Sequence, residues 1–110
     1  MIESYKYIGK LVCILKNDKA DLTKYGLQLD GKEWNYYDGC KRIMIHPNGK
    51  VVFNCMTIKS IAIACKLYQD GIIDFANVSK FSKLKKHCIF LDNEEYEFIM
   101  KEREKKKNAN

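Results

Sequence analysis

A chain of 110 residues, 46% apolar and 31% charged, has the size and composition of one globular domain built round one hydrophobic core. It is too apolar for a disordered chain, and no apolar run approaches the ~20 residues that a membrane span needs. The formal net charge of +6 favours an acidic partner, whether nucleic acid or acidic protein, over a basic one.

The first residues, Met1-Ile2-Glu3-Ser4-Tyr5, place no basic stretch ahead of an apolar one, so no signal peptide is expected and the cytoplasm is the expected compartment. Tyr5 to Leu15 fits either a helical or a strand period, and Gly9 with the β-branched Ile8, Val12 and Ile14 leans it toward strand. Asn17 to Asp21 is a polar connection. The next part is divided by turn chemistry at Asp30-Gly31, Asp38-Gly39 and Pro47-Asn48-Gly49. Between these turns, apolar residues alternate: Leu27 and Leu29, Trp34 and Tyr36, Ile43 and Ile45, Val51 and Phe53. Residues 24–55 therefore read as an antiparallel meander of about four strands, with the opening segment as a fifth.

Thr57 is a natural N-cap for a helix over about 57–70, along which Ile58, Ile61, Ala62, Cys65 and Tyr68 recur at helical spacing until Gly71. Ile72 to Phe75 suits a short strand or a packed connection. Val78, Phe81 and Leu84 recur among lysines without settling an element, and Lys86 to Leu91 suits a last strand. Asp92 and Glu95 form a capping-box pattern opening a helix over about 93–106, acidic at its start and basic at its end. Tyr96, Phe98, Ile99 and Met100 are expected to dock its first turns, and the charged tail at about 106–110 to fray. The fold class is thus α+β in a single domain spanning 1–110: an antiparallel meander of four to five strands against a central helix, with a C-terminal helix.

Five cysteines at wide spacings, an odd number without a secretory signal, read as reduced thiols. Cys40 with His46, and His87 with Cys88, are the close Cys/His pairs, and neither has the paired spacing of a structural zinc site. A strand between Cys40 and His46 would hold them near its opposite ends, which makes them poor partners for nucleophilic catalysis. No metal, cofactor or catalytic group is expected. The glutamates of the last helix read as dipole compensation and i,i+4 pairing.

Two features bear on binding. Lys80, Lys83, Lys85 and Lys86 lie in a stretch, 80–91, with no acidic residue. Clustered lysines displace counterions from a phosphate backbone and give sequence-independent affinity. A solvated helix or loop face explains the same cluster without a ligand. The second feature is Trp34, Tyr36 and Tyr37 followed by Lys41 and Arg42, a pattern suited to stacking bases and holding phosphates. Strand alternation sets Trp34 and Tyr36 on one face and Tyr37 on the other, so the first two read as core and Tyr37 as exposed. Only two of the 20 basic residues are arginines, so base-specific reading is not expected. The expected function is a small basic binding protein for nucleic acid or a nucleoprotein complex, in the style of phage and mobile-element products. It would work through Lys80, Lys83, Lys85, Lys86, Lys41, Arg42 and Tyr37. The alternative is a protein-interaction module, an inhibitor or adaptor, with a homodimer as one form of it.

Overall fold

The computed structural model describes residues 10–75, 88 and 91–108. Strands β1 (Lys10–Leu15), β2 (Gln28–Asp30), β3 (Glu33–Asp38), β4 (Cys40–Ile45) and β5 (Lys50–Asn54) precede helix α1 (Ile58–Gln69), strand β6 (Ile73–Phe75) and helix α2 (Asn93–Asn108). The six strands form one antiparallel sheet in the order β2-β3-β4-β5-β1-β6. The expected meander is β2 to β5, and β1 adds to its far side. The segment after α1 resolves as a strand, β6, paired with β1 through Cys13 and Phe75. Cys88 lies in helical backbone, not in the strand expected over Lys86 to Leu91, and most of that stretch is outside the described residues. A run of four apolar residues carries no period that separates strand from helix.

The turn residues act as their chemistry predicts. Gly49, at φ 91°, lets the chain reverse so that the His46 amide donates to the Lys50 carbonyl at 2.9 Å. Gly39, at φ 80°, brings Asp38 and Cys40 opposite each other with a single residue between them.

One face of the sheet supplies Cys13, Tyr36, Ile43, Ile45, Val51 and Phe53 to the core, where they meet Ile61, Cys65 and Leu67 of α1. Thr57 caps α1: its hydroxyl accepts from the Ser60 amide, and the Ser60 hydroxyl accepts from the Thr57 amide. The same Thr57 hydroxyl donates to Asp38 Oδ2 at 2.6 Å, which ties the helix start to the β3–β4 turn. At the other end of α1 the Tyr25 hydroxyl donates to Asp70 Oδ2 at 2.6 Å. Burial and that bond push the Tyr25 phenol well above its ordinary value.

Asp92 caps α2, accepting from the Glu95 amide at 2.8 Å. Tyr96, Ile99 and Met100 pack against the core as expected, but Phe98 is 61% exposed. It sits two residues from Tyr96 and Met100, and residues two apart on a helix do not share a face. Among the described residues no helix is long and apolar enough to cross a membrane.

Replacing Thr57 with Ala removes both the cap and the tie to Asp38. We expect a loss of about 1–2 kcal/mol in urea unfolding with an unchanged m-value, and Thr57→Ser to recover most of it.

Candidate functional site

Alternation turns Glu33, Asn35 and Tyr37 of β3 away from the core, onto the outer face of the sheet. A two-residue turn at 31–32 sets Gln28 opposite Asn35 and Asp30 opposite Glu33. The result is a network centred on the Asp30 carboxylate. Its Oδ2 accepts from Asn35 Nδ2 at 2.8 Å and from the Tyr37 hydroxyl at 2.9 Å, and its Oδ1 accepts from Gln28 Nε2 at 3.2 Å. These bonds, led by the one from Asn35, lower the Asp30 pKa, and the bond to Asp30 raises that of Tyr37. Asn35 is itself buried, and its Oδ1 meets no donor among the described residues.

A β-bulge between β3 and β4 decides where the three expected β3–β4 site residues go. Tyr36 pairs with Ile43 but Tyr37 pairs with Lys41, so Arg42 is the extra residue. Lys41 consequently shares the face of Tyr37, its Nζ 5.9 Å from the ring centroid. It also reaches Glu33 at 3.6 Å. Glu33 in turn meets His46 Nδ1 at 3.0 Å. Arg42 goes elsewhere: its Nε donates to the Asp38 carbonyl at 2.8 Å and its Nη1 to the Cys55 carbonyl at 2.9 Å. Its guanidinium joins backbone segments instead of facing outward with Tyr37. Lys80, Lys83, Lys85 and Lys86 lie outside the described residues.

The exposed aromatic of this face is Tyr37, 45% accessible, while Trp34 is half-buried and Tyr36 buried on the core side. The sequence singled out the cations and the aromatics and missed Asp30 and Glu33. Their signal was the Asp30-Gly31 turn: a two-residue hairpin puts Asp30 opposite Glu33 and, at alternate positions, aligns both with Asn35. The patch thereby carries two carboxylates beside Lys41 and His46. It is mixed in sign, not basic.

The cysteines divide into two kinds. Cys13, Cys65 and Cys88 are buried, whereas Cys40 and Cys55 are exposed. Burial pushes the Cys13 thiol up, and a hydrogen bond with Cys65 together with burial pushes Cys88 up further. Neither has the thiolate character of a nucleophile. Among the described residues no group of three or more potential ligands could hold a metal ion. No protein-family model, curated protein or solved structure matches the chain.

In the folded protein we expect an alkylating reagent to modify Cys40 and Cys55 promptly, and Cys13, Cys65 and Cys88 only after unfolding, as read by mass spectrometry. The Asp30 network has its own signature. With a lowered folded pKa, its contribution is complete above the ordinary carboxylate pKa and disappears as pH falls through the folded value. We expect the NMR titration midpoint of Asp30 to lie below 3.8 and to rise in Tyr37→Phe, which deletes one donor.

Proposed function

We propose that this chain is a non-catalytic binding protein whose partner is another protein, engaged through the outer face of β2, β3 and β4 around Tyr37. The observation that carries this reading is the way Tyr37 is held: exposed, its hydroxyl tied to Asp30, its ring beside the Lys41 ammonium. An aromatic side chain fixed before the partner arrives loses little entropy on binding, and tyrosine is among the residues that dominate interface energetics. Charges of both signs around it suit the polar rim of a protein interface. The same charges disfavour a phosphate backbone, which would meet Asp30 and Glu33. Cys13 and Cys88, buried and pushed up, are unsuited to act as nucleophiles. Five free cysteines fit a reducing compartment, and we place the protein in the cytoplasm.

The second reading, binding of nucleic acid or a nucleoprotein, is favoured by one observation, the acid-free run containing Lys80, Lys83, Lys85 and Lys86. A homodimer is a further form of the first reading, and light scattering detects it directly.

The two readings separate in one experiment. The tagged protein is used to capture partners with and without nuclease, alongside Tyr37→Ala and the triple variant Lys83→Ala, Lys85→Ala, Lys86→Ala. The first reading expects a protein retained after nuclease and weakened in Tyr37→Ala by about 2 kcal/mol, roughly thirtyfold in Kd. Loss of all capture on nuclease treatment, with the lysine variant inactive and Tyr37→Ala unaffected, would overturn it in favour of nucleic acid.

A further inference from the structure

Cys40 opens β4 and Cys55 directly follows β5, and both side chains are exposed. They are fifteen positions apart along the chain but converge across the β4–β5 hairpin. Ile43 faces Phe53 at the end of that ladder. Two further steps of the same register set Lys41 across from Cys55, with Cys40 one position on. One strand spacing of about 4.8 Å and one step of about 3.3 Å separate such positions by about 6 Å. A disulfide spans Cα atoms roughly 4.4–6.8 Å apart.

The bulge brings both residues to one side of the sheet. Unbroken alternation from the core-facing Ile43 would turn Cys40 outward. With Arg42 as the extra residue that parity reverses, and Cys40 pairs with Asp38 and shares its side. On that side Asp38 Oδ2 accepts from the Thr57 hydroxyl at the start of α1. Cys55 lies two residues past the core-facing Phe53 and two before Thr57, so it enters the same corner. Its φ of 47° is the one positive value at a non-glycine residue among the described residues. Such a conformation costs energy and persists only where the surroundings impose it. Arg42 holds this one: Nη1 donates to the Cys55 carbonyl at 2.9 Å while Nε donates to the Asp38 carbonyl at 2.8 Å. Its Nη2 lies 3.6 Å from where a Cβ on Gly39, the residue before Cys40, would stand. One guanidinium thus fixes the backbone that carries each thiol.

We propose that Cys40 and Cys55 are a redox-responsive pair that closes into an intramolecular disulfide when a small disulfide, such as oxidised glutathione, is in excess. One protein thiolate attacks a glutathione sulfur, the glutathione S–S bond breaks, and one glutathione leaves. The other protein thiolate then attacks the protein sulfur of the mixed disulfide and displaces the second glutathione. The pair loses two electrons, the glutathione disulfide gains them, and the two thiol protons pass to the two glutathione thiols. The link closes the open end of the β4–β5 hairpin and ties Cys55 to β4 independently of Arg42. In a reducing compartment a bond of this kind is transient and reports oxidation. Cys13, Cys65 and Cys88 are buried and take no part.

The parent protein, Cys40→Ser and Cys55→Ser are equilibrated with mixtures of oxidised and reduced glutathione, quenched with acid, and read by intact mass and peptide mapping. The parent is expected as a monomer lighter by two hydrogen atoms, its Cys40 and Cys55 peptides joined and released again by dithiothreitol. Each serine variant is expected to keep one glutathione on its remaining exposed thiol instead. Two glutathiones on the parent without a link, a link formed only between chains, or a link that includes one of the buried cysteines overturns the pair. The linked and reduced forms of the parent are then compared in urea. A disulfide that closes in the native geometry constrains the unfolded chain and raises the midpoint. An unchanged or lowered midpoint shows that the fold must distort to close the bond, and overturns the geometric argument. These readouts need no partner, so they stand apart from the outcome of the capture experiment.

Discussion

The junction at Asp38 organises the rest of the molecule. Its carboxylate accepts from the Thr57 hydroxyl, which also caps α1, and its carbonyl accepts from Arg42. Arg42 reaches the Cys55 carbonyl as well, so one guanidinium and one hydroxyl bind the β3–β4 turn, the end of β5 and the start of α1 into a single corner. Hydrogen bonds from a charged donor or to a charged acceptor are each worth about 1.5–3 kcal/mol net. The corner also carries a register consequence. The bulge that releases Arg42 from the ladder is the same one that slides Lys41 into place opposite Tyr37. A continuous ladder would have set Arg42 opposite Tyr37 and placed Lys41 one position further along. The outward-facing pair thus depends on an inward structural tie.

Register also explains why the outer face differs from a basic surface. Glu33 lies between the Lys41 ammonium and the His46 imidazole, and Asp30 gathers three donors. Exposed ion pairs of this kind contribute little to stability, about 0–1 kcal/mol each. Their effect is on what the face can accept. Within a Debye length of about 8 Å at physiological salt, a polyanion would encounter Asp30 and Glu33 together with Lys41. A protein surface with interspersed charges can match both signs.

Much of the fold was legible because it rests on local chemistry. Turn dipeptides, period-2 alternation and the Thr57 and Asp92 caps each act over a few residues, and each appears at its expected place. The placement of Trp34 and Tyr36 inward and Tyr37 outward followed from alternation alone. What was not legible depends on register or on distant neighbours. No single-sequence rule predicts that Arg42 is the bulged residue, because that choice is made by the Asp38 and Cys55 carbonyls, four and thirteen residues from Arg42 along the chain. Phe98 was expected to dock because it is apolar, but the direction of α2 is set by Tyr96, Ile99 and Met100, and Phe98 falls outside their stripe. The neutralising carboxylates were missed for a simpler reason. Cations and aromatics stand out as runs along the chain, whereas Asp30 and Glu33 reach the face across a hairpin.

Strand β3 therefore has a division of labour that follows from its pleat. Tyr36 holds the core, and Trp34, near the strand's start, is only half covered. Tyr37, three residues on, faces the opposite side. At about 3.3 Å per residue the two ring-bearing positions are roughly 10 Å apart along the strand. The neighbouring strand, β2, is the sheet's edge and only three residues long, so both faces of β3 lie close to the same border. A short edge strand resists pairing with a further strand. Contact across this border consequently has to come through side chains: Leu29 and Trp34 on one side of it, Tyr37 and Lys41 on the other. On the reading proposed above, a protein partner meets these side chains and not the β2 backbone.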